Sequence, residues 1–356
     1  YLCMGEKEKA IEDYSKATEI IPSYTYAWNQ LGEIYYEMEE IDKAIEKYKK
    51  AIESNPNFED GYNNLGVCYL DKEEYDEALK IFYEGIEVDP NHKYFYFNIA
   101  RINQIRENYE ESKKYYKIGL EKDENYAACY YNLSKIYSEK EMLKEALKYA
   151  DESIERVDKP NASYHNQRGL VYMDMEKYSD ALNDFKKALE ILDKEKNKTE
   201  LASIYLTISE IYKSVGKLDR SLEYSQRVYD IKKSDEDEYM MKSLFRIIET
   251  YISNYEYDMA KKYCKIALAS SIKNKNRLNE YRVLKYYSDM HKAQNENIIA
   301  IEYLHKCINI ISELNDEKIL ADLYINLGEL YSDISKEKEL EYYQKGVCIY
   351  KNLEII

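Results

Sequence analysis

The sequence predicts an all-α solenoid, a row of antiparallel helix pairs stacked one on the next. Three observations carry that prediction. The 356-residue chain has only 10 glycines and 4 prolines, too few breakers to interrupt helix often. Apolar residues recur at i, i+3, i+4 and i+7, the spacing of one helix face. The pattern then repeats at a fixed stride, which marks an array of similar units and not a single globular core. Hydrophobic residues make up 45% of the chain beside 34% charged residues, so the charge does not make it a disordered acidic polymer. Tyrosine dominates the aromatics, with 42 copies against one tryptophan and 6 phenylalanines. Its apolar ring and polar tip suit a half-buried helix surface.

The units follow in order. Trp28, Leu31, Gly32, Tyr35, Ala44, Tyr48, Ala51 and Pro56 set a template. One stride of 34 residues on stand Tyr62, Leu65, Gly66, Tyr69, Ala78, Phe82, Gly85 and Pro90. The next two strides give Tyr96, Ile99, Ala100, Asn103, Ser112, Tyr116 and Gly119, then Tyr130, Leu133, Ser134, Tyr137, Ala146, Ala150 and Ser153. His165, Gly169, Tyr172, Ala181, Phe185 and Ala188 follow after 35 residues. The stride then lengthens to about 40, through Tyr205, Ile208, Ser209, Tyr212, Ser221 and Val228. Leu244, Tyr251, Ala260 and Ala267 continue it, then Leu284, His291, Ala300 and Cys307, and last Tyr324, Leu327, Gly328 and Tyr331. Nine pairs are expected, beginning near residues 25, 59, 93, 127, 162, 202, 241, 281 and 321. Ala10, Tyr14, Ala17 and Pro22 match the second helix of a tenth pair, whose first helix falls before Tyr1. Small residues at Gly32 and Gly66, opposite Ala44 and Ala78, are expected to let paired helices cross closely, with Tyr35 and Tyr69 filling the space beside them. Pro56 and Pro90 stop the second helix of their pairs.

The spacing W-x2-L-G-x2-Y, A-x3-F, P resembles the tetratricopeptide repeat. That resemblance implies a right-handed superhelix whose concave face is lined by the first helix of each pair. Residues 1–195 form the short-stride array. Residues 196–356 form a long-stride array continuous with it, with polar inserts at 196–200, 233–238, 273–277 and 315–318. The long stride is similar to repeats of kinesin light chain and of bacterial regulators that sense small peptides.

One inner position stands out. The residue before each repeated Leu or Ile, and its counterpart in the fifth repeat, is Gln30, Asn64, Asn98, Asn132 and Gln167, an amide in five successive repeats. A primary amide carries donors and an acceptor, so such a row can pair with the backbone of an extended peptide. The pattern resembles the asparagine ladder of O-linked N-acetylglucosamine transferase and kinesin light chain. Asn29, Asn63, Phe97, Tyr131 and Asn166 lie beside it, and Tyr26 and Tyr94 one turn back, the latter two reading as packing aids. The other reading is that asparagine simply covers a wet surface. After Gln167 the slots hold Thr207, Arg246 and Tyr286, with Asn326 isolated. A clamp for a terminal carboxylate needs lysine and arginine on this face. The slots inspected for it, Tyr26, Asp60, Tyr94, Ala128 and Ser163, hold none.

A net charge of −16 repels phosphate backbones, which argues against nucleic acid. No apolar run reaches the ~18–20 residues that span a bilayer, so no membrane partner is expected. The six cysteines, Cys3, Cys68, Cys129, Cys264, Cys307 and Cys348, form no Cys-x-x-Cys pair. Most fall in apolar helical patterns, which implies buried free thiols and a reducing, cytoplasmic compartment. His92, His165, His291 and His305 form no metal motif, and His291 occupies a packing slot. No metal, cofactor or catalytic constellation is expected. Three functions follow: a non-catalytic scaffold that binds a protein or extended peptide, the sensing half of a longer regulator, or an assembly unit. Apolar Leu353, Ile355 and Ile356, without a capping helix, motivate the last through self-association of solenoid ends.

Overall fold

A computed structural model describes residues 6–193, 196–235 and 237–353. Cys3, Ile355 and Ile356, which carry expectations above, lie outside them. The described residues form nineteen helices and two compact units, Tyr1–Ile191 and Leu192–Ile356. In the first unit a lone helix α1 (Lys7–Ile20) precedes five pairs. These are α2 (Thr25–Glu37) with α3 (Ile41–Ser54), α4 (Glu59–Asp71) with α5 (Tyr75–Val88), and α6 (Lys93–Ile105) with α7 (Tyr109–Lys122). Then come α8 (Ala127–Glu139) with α9 (Leu143–Glu155), and α10 (Ala162–Asp174) with α11 (Tyr178–Ile191). The second unit pairs α12 (Lys198–Ser214) with α13 (Leu218–Lys232) and α14 (Glu238–Ser253) with α15 (Tyr257–Lys273). It ends with α16 (Arg277–Ala293) beside α17 (Asn297–Leu314) and α18 (Glu317–Tyr331) beside α19 (Lys336–Asn352).

Each recurring residue has a mechanical role. Trp28 donates its indole N–H to the Pro22 carbonyl at 2.9 Å, and Tyr62 and Tyr96 donate their hydroxyls to Pro56 and Pro90 at 3.2 and 2.8 Å. The aromatic slot therefore ties α2, α4 and α6 to the proline turns before them. In the turns before α4, α6 and α8, Asn55, Asp89 and Asp123 accept from the amide two residues on, the Asx geometry that reverses a chain locally.

The glycine slots differ from expectation. A Cβ on Gly32 would lie 2.5 Å from the Tyr48 ring, and one on Gly66 2.3 Å from the Phe82 ring. The second helix's aromatic ring, not Ala44 or Ala78, takes the space that glycine leaves. In two other pairs small residues fill both slots. Ser209 faces Ser225, joined hydroxyl to hydroxyl at 2.7 Å, and the slots of Ser134 and Ala150 are both fully buried. Ala100 with Tyr116, both fully buried, keeps the large ring in the second slot.

In every pair but the last, α18 with α19, the first helix ends in a Schellman motif. Glu39 N–H donates to Tyr36 and Glu40 N–H to Tyr35, at 3.0 and 2.9 Å. The motif places Glu39 at φ 60°, and Glu73, Glu107, Glu141 and Glu176 repeat it at φ 57–60°. Such left-handed backbone normally selects glycine.

The long stride is taken up in helix. First helices grow from 13 residues in α2 to 17 in α12 and α16, and α17 reaches 18. Three of the polar inserts supply the caps of the following helices, through the side chains of Asp237, Asn276 and Asp316. No described helix is long and apolar enough to cross a membrane.

Cys68, Cys129, Cys264 and Cys307 are buried free thiols, and burial pushes Cys68, Cys264 and Cys307 up to about 12. Cys348 departs from that pattern and is exposed. A disulfide reagent added to the native protein is therefore expected to modify Cys348 rapidly and the other four only on unfolding. Fast labelling of Cys129, read by peptide mass, would contradict this burial.

Candidate functional site

The first helices of the first unit bring part of the amide row together as a hydrogen-bonded chain. Arg101 donates to Asn98 Oδ1 at 3.4 Å, and Asn98 Nδ2 donates to Asn63 Oδ1 at 3.1 Å. Asn63 Nδ2 donates to Asn64 Oδ1 at 3.4 Å, and Asn64 Nδ2 to Asn29 Oδ1 at 3.1 Å. Asn29 Nδ2 ends the run on Glu33 at 2.8 Å. The chain crosses α6, α4 and α2, with a cation at its donor end and a carboxylate at its acceptor end. Every bond in it points the same way, so each polarises the next. A primary amide has two N–H groups, and each asparagine here spends one on its neighbour.

The other amides stand apart. Gln30 donates to Glu33 at 2.6 Å, doubling the anchor at the acidic end. Asn132 donates to the Ala128 carbonyl of its own helix at 2.9 Å. Gln167 is buried and donates to Ser134 at 3.4 Å. Asn29 and Asn98 are buried, whereas Asn64 is half-buried. With Glu33, Tyr36, Glu37, Tyr48 and Val67, Asn64 lines a cavity of about 290 Å³ between α2 and α4. Tyr36 donates to Asp71 at 2.5 Å, and that bond with burial pushes its hydroxyl up to about 12.

The flanking aromatics pack on one another. Tyr26 meets Tyr14 and Tyr24 at ring separations of 6.5 and 6.3 Å, and Tyr94 meets Tyr126 at 5.5 Å. Both Tyr26 and Tyr94 remain exposed. Phe97 lies 5.1 Å from Tyr126 under the Arg101 guanidinium, and Tyr131 lies 5.1 Å from Tyr164. Asn166 is half-buried beside Gln167.

The sequence reading passed over the second unit. There α12, α14 and α16 enclose a cavity of about 620 Å³. Thr207 and Arg246, which occupy the amide slots, line it with Ser203, Lys242 and Arg282 one turn earlier on their helices. In the three repeats after Ser163 the same slots read Ser203, Lys242 and Arg282, the signal by which the sequence marks this cavity. Lys213 pairs with Glu249 at 2.6 Å, Tyr286 donates to the same carboxylate at 2.6 Å, and Arg246 lies 3.9 Å from it. Burial raises the Glu249 pKa, but the Lys213 and Tyr286 hydrogen bonds and the nearby positive charges outweigh that and hold it below the usual carboxylate range.

Family models described as TPR repeat match residues 1–39 and 32–72, and models described as tetratricopeptide repeat match 59–92, 127–156 and 161–234. Together they span more than half of the chain. No curated protein matches the sequence. Among solved structures, the chain is similar to a signal transduction ATPase with numerous domains (STAND) protein with a tetratricopeptide repeat sensor from Pyrococcus horikoshii. That likeness is 18% identical with a TM-score of 0.69, over 93% of this chain and 53% of that one. It is also similar to the structure described as the APC/C hetero-tetramer Cut9-Hcn1, at 17% identity and TM-score 0.55, over 77% of this chain and 51% of the other. Pseudomonas aeruginosa pilF gives 19% identity and TM-score 0.50, over 62% of this chain and 94% of its own. At these identities the likeness is one of fold.

Proposed function

We propose, from the premise that the chain belongs to the tetratricopeptide repeat family, that it is a non-catalytic interaction scaffold whose first unit binds an extended peptide along the amide row. Proteins of this family generally mediate protein and peptide interactions. The observation that carries the reading is the polarised chain from Arg101 to Glu33, with Asn64 opening into a cavity. A peptide backbone laid there meets preoriented amides, each with one N–H unspent, so little ordering cost remains at binding. Gln30, Asn64 and Asn132, none of them buried, are the contacting members, and Asn98 and Gln167 support them from beneath. The four buried thiols agree with a reducing compartment such as the cytoplasm.

The test must separate contact from support, because Asn64 and Asn29 share one hydrogen bond. Peptides selected from a random displayed library on the intact chain supply the ligand, and fluorescence anisotropy supplies the affinity. Asn64→Ala is expected to weaken binding about tenfold, the value of one lost hydrogen bond. Asn29→Ala breaks the same internal bond from a buried position and should weaken it far less. Equal losses in the two variants would mean that the row only holds helices together.

A further inference from the structure

The cavity of the second unit carries a different chemistry from the amide row. Lys213, Lys242, Arg246 and Arg282 face it against two acids, Glu210 and Glu249. Both acids are engaged: Glu249 by Lys213 and Tyr286, and Glu210 by Arg246 at 3.6 Å. Arg282 makes no ion pair among the described residues. Its guanidinium lies 4.4 Å from the centroid of the Phe245 ring, which is only 4% exposed and so fixed in place. Stacking occupies one face of the guanidinium and leaves its in-plane N–H fork available. Lys242 pairs only with Glu238 of its own helix, both exposed, a contact of little strength. The wall thus lines the cavity with four cations against two acids, one cation unpaired and one only weakly paired, in a chain of net −16.

We propose that this cavity binds a phosphate monoester, seated on the Arg282 fork and neutralised by Lys242 and Arg246. A phosphate monoester carries about −1.5 to −2 at neutral pH and three acceptor oxygens, matching the excess, whereas a single carboxylate leaves a positive charge over. A volume of about 620 Å³ suits a small phosphorylated molecule or one phosphorylated side chain of a peptide. The site lies wholly in the second unit and does not depend on the amide row.

Isothermal titration of the intact chain at low salt with phenyl phosphate and with benzoate tests the assignment. Phenyl phosphate should bind at least about tenfold more tightly than benzoate, and more weakly at pH 5 than at pH 7.5, since its second ionisation lies near 6. Arg282→Gln should weaken it about tenfold or more, as expected for loss of a charged bidentate donor. Glu210→Gln removes a competing negative charge and should tighten it, so a gain is readable even if Arg282→Gln unfolds. Free phosphoserine against a phosphoserine peptide assigns the source: tighter binding of the peptide favours a phosphorylated protein, equal binding a small molecule. Benzoate binding as well as phenyl phosphate, or affinity unchanged in both variants, overturns the proposal.

Discussion

Replacing Glu39, Glu73, Glu107, Glu141 and Glu176 together by glycine is expected to stabilise the first unit by about 3–5 kcal/mol. Each holds a left-handed φ between 57° and 60° at the end of a first helix. For a residue with a Cβ that conformation costs about 1–2 kcal/mol. Glycine avoids the cost but loses about 0.5–1 kcal/mol of chain entropy, so at the midpoints of the two ranges each site gains about 0.75 kcal/mol. The five turns share no partners, and their effects should add. None of the five carboxylates accepts a salt bridge, so no charge pair is lost, and removing five negative charges from a chain of net −16 relieves repulsion. Calorimetry on the quintuple variant and on Glu107→Gly alone measures the increment. A flat or negative response would mean that the turns are held by something other than backbone geometry.

Asp184→Ala is expected to do the opposite, at a cost of about 3–5 kcal/mol. Asp184 is 1% exposed and receives both ends of the Arg168 fork, at 2.7 and 2.8 Å, with His165 Nδ1 at 3.2 Å. Its hydrogen bonds are the main reason that the Arg168 pKa is raised, Asp151 adding a third bond at 2.8 Å. Truncation strands a half-buried guanidinium, and breaking such a pair from one side is far more costly than replacing it whole. The double variant Asp184→Leu with Arg168→Leu should therefore recover most of the loss. Urea denaturation of the three proteins decides it. A cost below ~1 kcal/mol for Asp184→Ala would mean that Asp151 and solvent compensate Arg168 on their own.

The helix pairs were legible because their slots recur. Starts expected near 25, 59, 93, 127 and 162 coincide with Thr25, Glu59, Lys93, Ala127 and Ala162. In the long-stride half, starts expected near 202, 241, 281 and 321 fall three to four residues late, against Lys198, Glu238, Arg277 and Glu317. The extra turns mix polar residues with apolar ones such as the buried Leu201 and Met240, and do not repeat the slots of the short-stride template. Their one signal is a capping Asp or Asn at 237, 276 and 316, each followed by helix. The amide row was legible as composition, but its wiring was not. Nothing in the residue types tells that Asn64 reaches back to Asn29 while Asn132 turns to its own backbone. The cation-lined cavity was missed for a simpler reason. Lys242 and Arg282 stand one turn before the amide slots, at a position where the first five repeats carry no cation.

The wiring of α4 bears on how such a chain grows. That helix carries Asn64, which donates backward to α2, and Asn63, which accepts forward from α6. It has plug and socket on one segment. A tandem duplication of residues 59–92 would arrive with both ends matched, the copy's Asn64 finding the original Asn63. The same duplication at α8 would carry no such connector, because Asn132 is spent on Ala128. Lengthening by gene copying is thus chemically open at one point of the array and closed two pairs later.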